Sequence, residues 1–444
     1  MSTTVARIIS KNSYNFATNT LEERISCSAT GKPNPSRPCL RRQERLRYHR
    51  SVIRSADILV VGLGAVGSAA LYQASRLGAR SIGIDRFSPP HHQGSSHGDT
   101  RITRQAIGEG RVFVPLVLRS NQIWEEIDAA TGRGLMVRNG CLVLASANTP
   151  GCHHGSTSFV QDTIDAAEEF GIAHEVLRAD EISHRYPQFR LRGDEVGYLE
   201  PSAGFLRPEA CIETQLELAR RSGAQIFTDE AVLEIKPDQN DSVEVRTSKA
   251  NYIANKVIVT AGAWIPKLLG DDYARFFKIY RQMLCWFRLT KNQARYTPRE
   301  FPVFIWITGN RPRDMMYGFP QMEANGGVKM ATEQYEATID PDAVPREVNA
   351  AEITALYNQY IAPRFPDVSG ECLRRATCLY TVTPDAKFVI DQFRDSHNVV
   401  FASACSGHGF KHSAAIGEAL ARQASGLRSK IDLSAFGLRR FDRA

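Results

Sequence analysis

The sequence predicts an α/β fold in which a Rossmann-like dinucleotide-binding domain is interleaved with a second domain built on an antiparallel sheet. Three observations predict it. Residues 57–85 read as strand, glycine-rich turn, helix and strand; two later strands, one near the C-terminus, also run into glycine-rich exits; and a series of short β-prone segments lies between them. With 444 residues and 43% hydrophobic content, the chain carries enough apolar material for two or three domains.

The first unit opens on "DILVV" (57–61), a short apolar run of strand character that "GLGAVG" breaks. "SAALYQASRLG" follows with apolar residues at helical spacing, and "SIGID" forms the next strand. Gly62, Gly64 and Gly67 stand in the G-x-G-x-x-G positions of this βαβ unit. Gly62 permits the tight turn, Gly64 lets backbone approach a pyrophosphate, and Gly67 lets the helix pack closely on the strand, with the helix N-terminus facing the phosphates. Asp85 closes the second strand, where a carboxylate can accept hydrogen bonds from a ribose diol. An acid in that place disfavours a 2′-phosphate, and with it NADP.

The same strand-then-glycine logic recurs in "NKVIVTAGAW" (255–264), which runs into Gly262, and in "NVVFASACSGHGFKHSAAIGEALA" (398–421), where Gly407 and Gly409 precede an amphipathic helix. Nicotinamide domains rarely need a glycine-rich strand exit near the C-terminus, whereas flavin folds wrap FAD with segments from both ends of the chain. FAD is the expected cofactor.

Between these lie "YRQMLCWFRL" (280–289), "FPVFIWI" (301–307), "MMYGFP" (315–320) and "GGVKMAT" (326–332), short and β-prone with turn residues between them, so an antiparallel sheet is expected. "NAAEITALYNQYIAPRFP" (349–366) reads as a helix stopped by proline. The dinucleotide domain is expected over 56–134, 201–270 and 383–444, and the substrate domain over 135–200 and 271–382.

The formal charge of +7 is concentrated in residues 1–55, which hold eleven Lys and Arg against three Glu. The remaining body is electrically balanced, which argues against nucleic acid or an anionic membrane as its partner. The extension, rich in Arg and Ser, has the composition of an organelle transit peptide; a disordered tail or a gene-start artefact fits it equally. A cytoplasmic location is expected, or a mitochondrial one if the extension is a targeting sequence. No apolar run approaches a membrane span. Nine scattered cysteines without a C-x-x-C pair read as free thiols. "GCHHG" (151–155) reads as a solvated loop, and no metal is expected.

At "FSPPHHQGSSHGDTRITRQAIGEGRVFVPL" (87–116), "MMYGFP", "RATCLYTVTPDAKFVID" (375–391) and "ACSGHGFKHSAAIGEAL" (404–420) the chain resembles the monomeric sarcosine oxidase and N-methyltryptophan oxidase family, flavoenzymes related to D-amino acid oxidase. The likeness covers roughly residues 56–440. It implies an FAD-binding fold of the glutathione-reductase/D-amino acid oxidase type and a covalent FAD, held through the cysteine of the C-x-Y-T motif, Cys378. It further implies that His97 and Arg101 lie against the flavin, that Arg104 and Lys411 clamp the substrate carboxylate, that Lys329 activates oxygen, and that Tyr317 and Tyr380 line the substrate pocket. Fixed cations suit this chemistry, because amine oxidation leaves a negative reduced ring. Well-known members of the family have a histidine four residues after the lysine; this chain has Glu333, a carboxylate that could attract a cationic amine or reject a second acidic group.

The expected activity is that of an oxidase of N-methyl or cyclic α-amino acids, acting as a monomer on a small amino acid and O₂ and releasing H₂O₂. Oxidation of a pipecolate- or proline-like ring or of a specialised-metabolite amine stays open within that class. Outside it stand a dehydrogenase passing electrons to another acceptor and a non-catalytic dinucleotide-binding module.

Overall fold

The computed structural model describes residues 53–442, apart from 149–150, 152, 239–240, 312 and 395. The extension as far as residue 52, and Cys152 of "GCHHG", lie outside the described residues.

The strand Ile53–Val61 begins inside the stretch assigned to the extension. Arg54 explains the difference. Its guanidinium lies 4.2 Å from the Phe227 ring centroid and donates to Tyr252 Oη at 2.9 Å, so residues 53–55 pair with the neighbouring strand instead of ending in solvent. This strand has parallel neighbours on both sides, Asn251–Val259 and Ser81–Ile84, and the latter pairs in parallel with Gln225–Phe227. Ser396–Ser403 adds a further parallel partner to Asn251–Val259. Strands from widely separated parts of the chain thus form one sheet, the arrangement in which ligands bind beyond the carboxyl ends of the strands. The helices Ala65–Arg76 and Ser413–Ala424 pack closely, because a Cβ on Gly417 would collide with Ala69.

The second sheet runs in the order Val368–Val382, Lys278–Leu289, Val328–Ala331, Met315–Phe319, Val303–Ile307, Cys141–Ser146, Glu195–Glu200 and Glu175–Arg178. All the expected strands are present. Most pairings are antiparallel, while Val303–Ile307 pairs in parallel with Cys141–Ser146, a partner contributed by the earlier part of the chain.

The period-2 alternation of strand side chains divides this sheet into two functional faces. Met283, Cys285, Phe287, Phe304, Trp306, Met316, Val328 and Met330 form an apolar core on one side with Leu356 and Ile361. The alternate positions, among them Trp286, Ala331, Cys378 and Tyr380, form a separate cluster. A third, three-stranded sheet of Arg101–Thr103, Gly204–Leu206 and Met136–Arg138 fixes the segment that carries Arg101. The expected helix near 349–366 is Ala350–Leu356, continued to Ile361 by a wider π turn. Among the described residues, six cysteines are unbridged and no helix is long and apolar enough to cross a membrane.

Candidate active site

Two cavities lie along the sequence-predicted motifs. The outer is a groove of about 430 Å³ at the carboxyl ends of the parallel strands, bordered by Gly62, Gly64, Asp85, Gly262 and Trp264. The three motif glycines differ in what surrounds them. Gly62 adopts φ +85°, and a Cβ there would lie 2.7 Å from the Thr260 carbonyl oxygen. A Cβ on Gly67 would overlap the Gly62 carbonyl. At Gly64 the nearest atom is Ser96 Oγ at 4.0 Å, so this is the open point where a ligand can touch backbone. Gly64 also caps the helix Ala65–Arg76 without a side chain, leaving its N-terminal amides free for an anion.

Asp85 is buried and already engaged. Its carboxylate accepts from the Leu63 amide at 2.6 Å and from the Phe87 amide at 2.8 Å, so it ties the glycine turn to the second strand as well as bordering the groove.

The inner cavity, about 80 Å³, is where distant parts of the chain meet. Arg101, Arg104, Tyr317, Glu333, Tyr380 and Lys411 all border it, and so do Cys378 and Gly407. The segments 94–101 and 402–408 border both cavities, which makes them a bridge between groove and inner cavity. Arg101 is locked there by donation to the Thr100 carbonyl (2.8 Å) and the Ser95 carbonyl (2.7 Å). Cys378 is buried, which pushes its thiol up to about 11 despite the neighbouring Arg101.

His97 and Lys329 stand off the cavity walls. His97 is buried with neither ring nitrogen hydrogen-bonded; burial, and then Arg101, push its pKa down to about 3, so it is a neutral imidazole with its polar edge unused. Lys329 lies behind Thr100. Strand register sets it opposite Trp286 and Phe319, and Nζ donates to the Gly98 carbonyl (2.7 Å) and the Thr100 carbonyl (2.8 Å), 4.0 Å from the Phe319 ring centroid. Burial and the nearby Arg101 push its pKa well below that of a free lysine.

Arg104 is fully buried and paired. Nη2 meets Glu109 Oε2 at 2.5 Å, and Nη1 donates to the Ala106 carbonyl. The loop holding it is pinned by Glu200, whose carboxylate accepts from the amides of Gln105 (2.8 Å) and Ala106 (3.1 Å). Lys411 Nζ donates to the His408 carbonyl at 2.8 Å; burial lowers its pKa to about 8, against the pull of Glu109.

Several residues of this wall escaped the sequence reading. Glu109 lies five positions after Arg104 in a glycine-flanked loop, and His153 and His154 belong to the stretch read as a solvated loop. That reading is corrected: both imidazoles are buried in the inner wall, stacked with ring centroids 3.8 Å apart. Glu333 is the reason. Its Oε2 lies 2.9 Å from His154 Nε2 and accepts from the Tyr335 hydroxyl at 2.5 Å, so the histidine is drawn into the wall by a carboxylate. His154 adopts φ +47° to reach it, a left-handed conformation uncommon outside glycine. Burial opposes the charge of both partners, but their mutual attraction prevails: Glu333 is held down at about 2 and His154 is raised to about 9. Although Glu109, His153 and His154 bring three donor atoms within 4.8 Å of one another, Arg104 and Glu333 engage these groups as ion pairs.

The two glycines near the C-terminus occupy different places. Gly407 borders the inner cavity and not the nucleotide groove, since its turn at φ +85° faces His154 and Glu333. Gly409 borders neither; a Cβ there would collide with the Ala404 carbonyl, so it serves the tightness of the turn.

The fit to FAD rests on these features: an open glycine cradle at a helix N-terminus, a bridge from groove to inner cavity, and an orphaned buried imidazole beside a fixed guanidinium.

Residues 57–423 match the family model described as FAD dependent oxidoreductase. The chain is 36% identical over 389 residues to a monomeric sarcosine oxidase of Bacillus sp. (strain B-0618), covering 86% of this chain and 96% of that one. It is 34% identical over 394 residues to an N-methyl-L-tryptophan oxidase of Salmonella heidelberg (strain SL476), covering 87% and 99%. Among solved structures, NikD, an unusual amino acid oxidase essential for nikkomycin biosynthesis, superposes with a TM-score of 0.74 at 24% identity over 86% of this chain and 97% of that one, a likeness of fold alone.

Proposed function

Because the chain belongs to the family of FAD dependent oxidoreductases, we propose that it is an oxidase of secondary amines, acting on N-methyl or cyclic α-amino acids with O₂ as acceptor. The single observation that carries this reading is the convergence of Arg101, Arg104, Tyr317, Cys378, Tyr380 and Lys411 on one small cavity at the end of the nucleotide groove. When bound, FAD supplies the two-electron oxidation of the amine C–N bond and returns the electrons to O₂ as H₂O₂.

Gly62 and Gly64 would hold the pyrophosphate, with Gly67 keeping the helix close against the turn and Asp85 and Gly262 on the nucleotide half. Cys378 is the proposed covalent anchor; it borders the inner cavity beside Arg101, whose guanidinium favours the thiolate against the burial that raises the thiol. Arg101 presents a fixed cation to the cavity, with His97 nearby as a neutral imidazole.

Arg104 and Lys411 bind the substrate carboxylate, the first through its planar fork and the second as a point charge. Tyr317 and Tyr380 also line the cavity, their hydroxyls kept protonated by burial. The substrate amine must shed its proton before oxidation, because an ammonium has no free lone pair. Glu333 is occupied by His154 and Tyr335, so its charge is not left bare toward the amine. Lys329 is the residue proposed to favour reaction with O₂, its Nζ fixed by two carbonyls next to Arg101. A monomer is the assembly this reading takes, in line with the name of the sarcosine oxidase relatives.

The test is a panel of N-methyl and cyclic amino acids offered to the purified flavoprotein, with H₂O₂ and O₂ followed together. Peroxide formed in step with oxygen uptake supports an oxidase; substrate oxidation that requires an added electron acceptor contradicts it. Acid-precipitated protein should stay yellow, and Cys378→Ala should release the colour.

A further inference from the structure

A ligand carboxylate that takes Arg104 through its planar fork competes with the partners the guanidinium already has. Both terminal nitrogens are in use, on Glu109 and on the Ala106 carbonyl, inside a fully buried wall. If the guanidinium turns to a ligand, Glu109 is left as a buried anion, and such a group takes up a proton unless another cation replaces the one it lost.

His154 is placed to be that cation. Its Nε2 lies 2.9 Å from Glu333 Oε2, while Nδ1 lies 3.9 Å from Glu109 Oε1. Nδ1 is buried and has no hydrogen-bond partner, so it is an unused donor about 1 Å short of bonding distance from a carboxylate. Glu333 has a second donor in Tyr335 and does not consume the whole charge of the ring.

We propose that His154 is a positioning residue: it takes Glu109 over from Arg104 when an amino acid carboxylate enters, so that the exchange needs no proton. This rests on the inner cavity being the amino acid site. The other groups facing Glu109 are less suited. Lys411 is directed to the His408 carbonyl and then to the ligand, and His408, which burial keeps neutral, bonds the Ala386 carbonyl through Nε2. On its far side His154 meets His153, which burial holds near 3 and therefore uncharged. His154 itself, held at about 9 by the two carboxylates against its burial, stays an imidazolium through neutral pH.

The experiment titrates the holoenzyme with acetate, a carboxylate that cannot be oxidised, by calorimetry between about pH 6 and about pH 7.5, where Lys411 stays largely charged. The slope of log Kd against pH counts the protons taken up on binding. Wild type is expected to show a slope near zero. His154→Asn should weaken acetate about tenfold per pH unit, the signature of one proton entering with the ligand. In His154→Asn with Glu109→Gln the slope should return to zero and the affinity to within about threefold of Glu109→Gln alone. A merely structural role would weaken acetate without changing the slope, and that result overturns the proposal.

A unit slope in wild type that Glu109→Gln abolishes overturns it too, and this comparison stands even if His154→Asn fails to fold. Wild type that does not bind acetate in competition with an amino acid removes the carboxylate site and the exchange with it. Wild type that binds acetate while His154→Asn leaves the proton count unchanged removes the exchange alone.

Discussion

Arg104 and Glu109 form a buried ion pair, Nη2 to Oε2 at 2.5 Å, in the wall of the inner cavity. The guanidinium proposed to bind a substrate carboxylate is thus already paired with an internal one. Breaking one half of a buried pair leaves an uncompensated charge, so Arg104→Met should lower stability by about 3–5 kcal/mol in denaturant unfolding. It should also raise KM by roughly 30-fold or more, the equivalent of at least about 2 kcal/mol. Adding Glu109→Gln should restore most of the stability and none of the affinity. Recovery of both would mean that Arg104 serves the fold and not the ligand.

Lys411 makes carboxylate binding depend on pH. Burial lowers its folded pKa to about 8, so its charge is present below that value and is lost as pH rises through it. The affinity of the enzyme for an inert carboxylate should be flat below about pH 7 and should weaken up to tenfold per unit above about pH 8. Lys411→Met should bind such a ligand poorly at every pH and without this break. The rise of turnover with pH that comes from deprotonating the substrate amine should survive in the variant.

The motif glycines should separate folding from cofactor binding. Gly67→Ala puts a methyl group into the Gly62 carbonyl, and the protein should be lost to misfolding. Gly64→Ala has room in the protein itself, with the nearest atom at 4.0 Å, so it should fold with nearly unchanged thermal stability of the apoprotein but retain less flavin. Equal flavin content in Gly64→Ala and wild type would remove the pyrophosphate from this turn.

Lys329→Met should divide the two half-reactions. Loss of the positioned amine should slow the return of electrons to O₂ by on the order of 10²–10³-fold, while anaerobic bleaching by substrate changes far less. The carbonyls of Gly98 and Thr100 lose a buried donor as well, so a stability loss of about 1–3 kcal/mol should accompany it. An unchanged rate with O₂ would exclude Lys329 from the oxygen step.

What could be read from the sequence follows from how local each signal is. The glycine turn, the strand of Cys378 and Tyr380, and the strand of Lys329 announce themselves through period and motif, and alternation alone puts Cys378 and Tyr380 on one face. Arg101, Arg104 and Lys411, which the family likeness singled out, all border one cavity. Glu109 and His154 were missed because neither has a local signal: each matters through a partner that only the closed fold delivers, Arg104 for one and Glu333 for the other. The substitution at Glu333 was visible in the sequence, but its consequence was not. A buried carboxylate calls for a cation, and the imidazole that answers comes from residue 154, 179 positions earlier in the chain.

The most direct measurement of whether Arg104, Lys411 and Cys378 surround a working flavin is rapid anaerobic mixing of the purified enzyme with an N-methyl or cyclic amino acid and with the same amine lacking its carboxylate. Flavin absorbance should bleach with the amino acid and at least about 100-fold more slowly with the truncated amine, because the carboxylate clamp supplies orientation as well as affinity. Equal bleaching rates for the two, or no bleaching by any secondary amine of the panel, would contradict the site as assigned.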